Sequence, residues 1–213
     1  MKKRDYITIC AILLTIVSIA KILYINGDLS KKEIAATYNG VAVNTVSCSY
    51  DIDVTDPTEI IGDADYYFVA KVKSIDGYDY RDPIEVENED GTVSTFCDPY
   101  TKYTIEIIQN IKGNLVENEE VNIAKFGGLS YDRKCYEIPE GDNFLEEGQK
   151  YLLAAYVQSD GTLLVSGENS SVKLAGTVFS KALQIRKYNW YYKNQKMFDR
   201  KRYRIAASKI YNE

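Results

Sequence analysis

Apolar and polar positions alternate along several short stretches of this chain, and each alternation predicts a strand. In Tyr67-Phe68-Val69-Ala70-Lys71-Val72-Lys73, Phe68, Ala70 and Val72 point one way, while Lys71 and Lys73 share the other face with Tyr67 and Val69. That period of two is the signature of a half-buried strand. A second strand runs from Lys102 to Ile111, with Tyr103, Ile105 and Ile107 on one face and Thr104 and Glu106 on the other, before Lys112-Gly113-Asn114 turns the chain. Val121 and Ile123 alternate in a third, which ends at Gly127-Gly128; two glycines there predict a bulge or turn. Lys150 to Val157 is apolar on both faces, as a central strand is, and Ser159-Asp160-Gly161 signals a hairpin into a fifth strand, Thr162 to Ser166. Five strands with no strong helix among them predict an all-β fold, a five-stranded OB-like barrel. Asp76 to Pro99 is acidic, rich in turn formers and reads as a long loop kept soluble by Glu85, Glu87, Glu89 and Asp90.

The pattern changes at both ends. Lys2, Lys3 and Arg4 precede an apolar run, Ile7 to Ala20, which resumes after Lys21 as Ile22-Leu23-Tyr24-Ile25. About 20 apolar residues can cross the ~30 Å hydrocarbon core as one helix. The basic flank stays cytoplasmic. Residues 1–25 are thus expected to act as a signal anchor, giving a single-pass cell-membrane protein with its C-terminal domain outside. The alternative is a signal peptide cleaved after Ala20, which leaves the domain secreted. Residues 26–45 read as a polar stalk, 46–176 as the barrel, and 177–213 as a basic aromatic tail, partly helical, with Asp199 to Ile210 as its helix-compatible part.

Charge sharpens this picture. From residue 181 onward the tail holds ten Lys and Arg against Asp199 and Glu213, inside a chain whose net charge is −5, so the body is strongly acidic. The tail is expected to fold back on that body or to lie on anionic lipid or wall polymer. Nucleic acid is set aside, because the domain is exported and the barrel acidic.

The chain has no histidine, which excludes Ser-His-Asp and Cys-His catalysis and histidine-ligated zinc. No Walker loop, dinucleotide fingerprint or nucleophile elbow is present, and no cofactor is expected. Asp51, Asp53, Asp56, Asp63 and Asp65 are rich in oxygen but lack the glycine and terminal glutamate of a calcium loop, and read as solvated turn residues. Cys10 falls in the apolar segment. The remaining three, Cys48, Cys97 and Cys135, are disulfide candidates. Cys97 lies just before the second strand and Cys135 in the connector after the third, ends that meet in an antiparallel pair, so a Cys97–Cys135 bridge is expected, with three unpaired thiols as the alternative.

A family resemblance follows from these segments in order. Cys48-Ser49 and then Ala64-Asp65-Tyr66-Tyr67-Phe68-Val69-Ala70-Lys71-Val72, the strand from Tyr103 to Lys112-Gly113, and Tyr151-Leu152-Leu153-Ala154-Ala155 before Asp160-Gly161-Thr162 resemble the netrin-like domain of tissue inhibitors of metalloproteinases. The resemblance implies an OB barrel, a binding role outside the cytoplasm, and a rival bridge between Cys48 and Cys135. That family chelates zinc through the free amine of the first cysteine in a Cys-x-Cys pair. Val46, Ser47 and Cys48 stand at the matching positions, so only the second cysteine is kept and no free amine is available.

The binding edge implied is Val46, Ser47, Cys48, Ser49 and Tyr50, where the 76–99 segment and the connector around Cys135 would converge. The expectation is a membrane-tethered, extracytoplasmic binding module without catalysis, for a protein partner with a protease among the candidates. The alternatives are a protease inhibitor acting without the zinc-chelating cysteine and a carboxylate- or lysine-dependent envelope enzyme.

Overall fold

The computed structural model of the chain describes residues 37–202. The expected membrane segment, Cys10, the first part of the stalk and residues 203–213 lie outside them. No helix among the described residues is long and apolar enough to cross a membrane.

Two short strands come first, β1 (Thr37–Tyr38) and β2 (Val41–Val46), then a seven-residue helix, α1 (Pro57–Asp63). The strands β3 (Tyr66–Glu87), β4 (Val93–Lys112), β5 (Glu120–Phe126), β6 (Gly128–Leu129), β7 (Tyr136–Pro139), β8 (Lys150–Val157), β9 (Leu163–Val165) and β10 (Ser171–Lys173) follow, and α2 (Val178–Lys193) ends the series. The larger sheet runs β10-β8-β3-β4-β5-β9, and a further β8–β9 pairing closes β3, β4, β5, β9 and β8 into a barrel. Strand β9 runs parallel to β5 and antiparallel to β8. This is the topology of the OB fold.

Alternation along the strands fills the barrel. Phe68, Ala70 and Val72 of β3 meet Tyr103, Ile105 and Ile107 of β4, Ile123 of β5, Leu153 and Ala155 of β8, and Leu163 and Val165 of β9. The other face of β3 is buried as well, contrary to the half-buried expectation. Tyr67 and Val69 join Leu152 and Ala154 under Ile60 and Ile61 of α1, and Ile185, Tyr188, Tyr191 and Tyr192 of α2 pack on the same cluster. Two apolar layers share one strand, which is why Tyr66–Ala70 is buried at every position.

Three sequence expectations are corrected. Residues 41–45, assigned to the stalk, form β2 together with Val46, and Val43 to Val46 pair in parallel with β7. The expected 76–99 loop is a long two-stranded ribbon, the outer halves of β3 and β4, with Ile84 opposite Phe96 and Val86 opposite Ser94. A tight turn closes its tip, where Asn88 N–H donates to Thr92 at 2.7 Å and Asp90 accepts from the Thr92 backbone and hydroxyl. In the tail, the helix occupies 178–193; of the expected Asp199–Ile210 part, residues 199–202 are not helical and the rest lie outside the described residues.

Helix α1 shows how the tail is held. Asp56 caps its N-terminus, accepting from Thr58 N–H at 2.8 Å, and Pro57 occupies the first turn, where a missing N–H costs nothing. Its C-terminal carbonyls are met by Lys112, whose Nζ donates to the Ile61 and Gly62 oxygens at 2.7 and 3.1 Å. Burial pulls this ammonium down to about 8, with the nearby Arg202 acting in the same direction.

The strap after α2 crosses this helix. Lys196 N–H donates to the Thr58 carbonyl at 3.0 Å, and its Nζ reaches Asp56 and Glu59 at 2.8 and 3.0 Å. A Cβ on Gly62 would run into the Lys196 backbone carbonyl. Gly62→Ala is therefore expected to lift the strap, seen as faster limited trypsin cleavage at Lys196, Arg200 and Lys201. An unchanged digestion pattern would contradict the close approach.

Candidate functional site

The rim of the barrel gathers residues from three separate parts of the chain. The ribbon contributes one wall. The connector between β6 and β7 contributes the other, a tight loop in which Ser130 N–H donates to the Cys135 carbonyl at 2.8 Å and Asp132 accepts from the Ser130 hydroxyl and Lys134 N–H. These donors hold the Asp132 carboxyl down at about 2. Tyr80 of the ribbon stacks edge-on against Tyr131 at 5.3 Å, and the Tyr78 and Tyr136 hydroxyls are 3.1 Å apart, so the ribbon base is tied to the connector. Gly127, at φ 103°, turns the chain into β6; its carbonyl accepts from Thr101 Oγ1 at 2.6 Å. The glycine pair is thus a turn against the ribbon base, as its position at a strand end predicts.

Between the walls runs a groove of about 690 Å³, lined by Asp82, Ile84, Phe96, Cys97 and Asp98 from the ribbon, by Tyr131, Asp132, Lys134 and Cys135 from the connector, and by Glu137 of β7, among others. A smaller hollow of about 350 Å³ shares Asp98 and Glu137 with it and is lined by Val46, Ser47, Cys48 and Ser49. Four of the five residues of the expected edge therefore converge with the 76–99 segment and the connector. Tyr50 does not. Its hydroxyl lies 3.5 Å from Ser166 Oγ, its ring packs beside Gly167, and burial pushes its phenol up to about 12.

Cys48, Cys97 and Cys135 are free thiols, which corrects the expected bridge. Cys97 and Cys135 stand on walls of the same groove. Cys135 Sγ is turned to β2, accepting from Asn44 Nδ2 at 3.3 Å, and Cys48 Sγ is turned back to the Val46 carbonyl at 3.9 Å. Burial raises the Cys48 thiol, the opposite of what an activated nucleophile needs.

The groove's electrostatics are one-sided. Asp82, Asp98, Asp132 and Glu137 line it against a single cation, Lys134, which pairs with Asp132 at 3.0 Å. Among the described residues Asp82, Asp98 and Glu137 make no ion pair. Loss of solvent raises the Asp98 carboxyl, with Asp82 adding to it. It raises that of Glu137 too, with Asp132 and then Asp98 adding. Each is a carboxylate whose charge would be better satisfied by a cation than by what surrounds it. The earlier aspartates do otherwise. Asp53 accepts from Thr55, Asp56 caps α1, and Asp63 and Asp65 hold Arg200 and Arg202. No group of three metal-ligating side chains occurs among the described residues.

Behind the groove the chain leaving β7 returns through a buried ion pair. Lys125 of β5 and Asp142, both 1 % exposed at the side chain, meet at 2.6 Å, and Ser171 Oγ donates to the same carboxylate. Sequence reasoning missed this pair; Lys125 stands in register between Ala124 and Phe126 with nothing local to mark it as buried.

Compared with protein-family models and with curated protein sequences, the chain matches none.

Proposed function

We propose that the chain is a membrane-tethered, extracytoplasmic binding module without catalysis, a netrin-like OB barrel that takes a protein partner in its rim groove. The observation carrying this is the groove's makeup. Exposed Ile84, Phe96 and Tyr131 stand beside three carboxylates that no cation answers, and β4 from Val93 to Asp98 pairs with β3 alone. An open strand edge can add a strand from a partner, and the side-chain pockets beside it select which. The partner chemistry that fits is an extended segment carrying basic and apolar side chains.

The test is affinity capture from surface extracts with the full chain and with Phe96→Glu and Asp98→Lys variants. Each variant is expected to weaken capture of the same partner by about tenfold or more, as a central contact does. Capture indifferent to both would remove the groove from consideration. A substrate turned over by the chain, and spared by Asp98→Asn and Glu137→Gln variants, would put carboxylate chemistry in this groove out of reach; turnover lost in them would replace the binding reading.

A further inference from the structure

Both faces of helix α2 carry apolar residues. Ile185, Tyr188, Tyr191 and Tyr192 are turned to the barrel. On the opposite side Phe179, Leu183, Arg186 and Trp190 follow one another at the spacing that keeps residues on one helical face. Phe179 is 74 %, Leu183 48 % and Trp190 59 % exposed. The helix has no acidic residue; its charged groups are Lys181, Arg186, Lys187 and Lys193. Among the described residues none of these four makes an ion pair. The cations beyond the helix differ, since Lys196 is answered by Asp56 and Glu59, and Arg200 and Arg202 by Asp63 and Asp65.

We infer that this outer face of α2 docks on the surface of an anionic lipid bilayer, with Phe179, Leu183 and Trp190 entering the headgroup boundary and Arg186, Lys187 and Lys193 meeting lipid phosphates. An exposed helix with Trp, Phe and Leu among basic residues has the composition of an interfacial membrane helix. Charge selects the occupant. The chain as a whole is negative, at −5, so an anionic surface repels the body and attracts this one helix. A cationic or neutral partner would gain nothing from four unanswered basic groups. The docking is independent of what the rim groove binds.

Trp190 is the only tryptophan of the chain, so its fluorescence reads this face alone. The full chain is reconstituted in vesicles of phosphatidylglycerol and phosphatidylcholine, with and without brominated acyl chains, and in phosphatidylcholine alone. Residues 1–25 can hold the chain on either vesicle, so the readout is contact of Trp190 itself with the acyl chains and not the amount of protein bound. In the anionic vesicles Trp190 emission is expected to shift to the blue and to be quenched by bromine; in phosphatidylcholine it stays as in water. Replacing Arg186 and Lys187 together by Ser is expected to lower the ratio of lipid-contacting to free Trp190 by about 30-fold, each basic residue near an anionic surface being worth ~1 kcal/mol. Phe179→Ser, at a site too exposed to matter for folding, is expected to reduce quenching as well.

Trp190 left unquenched in anionic vesicles overturns the inference. So does equal quenching in both compositions, which removes the role of charge. A blue shift that grows with protein concentration in the absence of vesicles overturns it in favour of a second copy of the chain covering this face.

Discussion

Lys125→Ala is expected to lower the unfolding free energy by about 3–5 kcal/mol, because it leaves the Asp142 carboxylate buried and unpaired. Much of a domain's net stability, ordinarily 5–15 kcal/mol, would be lost. Lys125 lies on β5, paired with Thr101 of β4 and Val165 of β9, while Asp142 follows β7, so the pair fastens the segment between β7 and β8 to the barrel wall. Burial lowers the Lys125 pKa and the Asp142 charge opposes that shift. The same desolvation that weakens each charge alone makes the pair interdependent. A Lys125→Met, Asp142→Leu double variant should recover most of the loss, since apolar replacement of both partners removes the desolvation penalty with the attraction. Urea denaturation of the three proteins measures this. A single variant within 1 kcal/mol of the parent would mean that water reaches Asp142.

Asp65→Ala is expected to cost about 3 kcal/mol and to release the strap. Its side chain is only 4 % exposed and is shared three ways. One oxygen accepts from Arg200 Nη2 at 3.0 Å and Arg202 Nη1 at 3.3 Å, and the other from Val157 N–H at 2.9 Å. Removing the carboxylate orphans a backbone donor at the end of β8 and takes an anionic partner from both guanidinium groups, leaving Arg200 to Asp63 and Arg202 to backbone carbonyls. Asp63→Ala, which takes one partner from Arg200 while leaving Arg200–Asp65 in place, should cost clearly less. Equal losses for the two would show that Asp65 is one charge among several and not the joint of the network.

The barrel was legible in the sequence where one side of a strand is apolar and the other is not. Strand β8 was read from Lys150 to Val157 as it stands, and β5 and β9 within a few residues. The ribbon was not legible, because residues 82–93 are exposed on both faces and the short alternation Ile84-Glu85-Val86-Glu87 is outweighed by the turn formers around it. Only its β-branched positions, Ile84, Val86 and Val93, hinted at strand. Two signals were present and passed over. Asp56-Pro57-Thr58-Glu59 is a helix-start pattern, read instead as part of an acidic turn cluster. Val41 and Val43 alternate in what was taken for stalk. Helix α2 falls in the tail expected to be partly helical, but its bounds were not legible, because its inner face is mostly tyrosine and offers no contrast with the other side. The convergence of Val46–Ser49 with the ribbon and connector was legible through the family resemblance. The free thiols were not, since cysteine spacing does not report the width of the groove between them.

The order in which the fastenings become available sets a timetable for folding. Strand β2 pairs with β7, and Asn44 and Cys135 at that contact are 91 residues apart in the chain. Asp65 waits 92 residues for Val157, and Asp56 waits 140 for Lys196. At a synthesis rate of ~5–20 residues per second, β3 exists for several seconds before any strand can close the barrel on it. Its outer face, Tyr67 and Val69, has only Ile60 and Ile61 of α1 to cover it until β8 and then α2 have followed. Chains dominated by such distant pairings fold on the scale of milliseconds to seconds, and their decisive steps come after the last strand is made. A nascent form of this protein is therefore a sticky, open sheet for most of its early life, and whatever receives it must shield β3 until the C-terminal strap arrives.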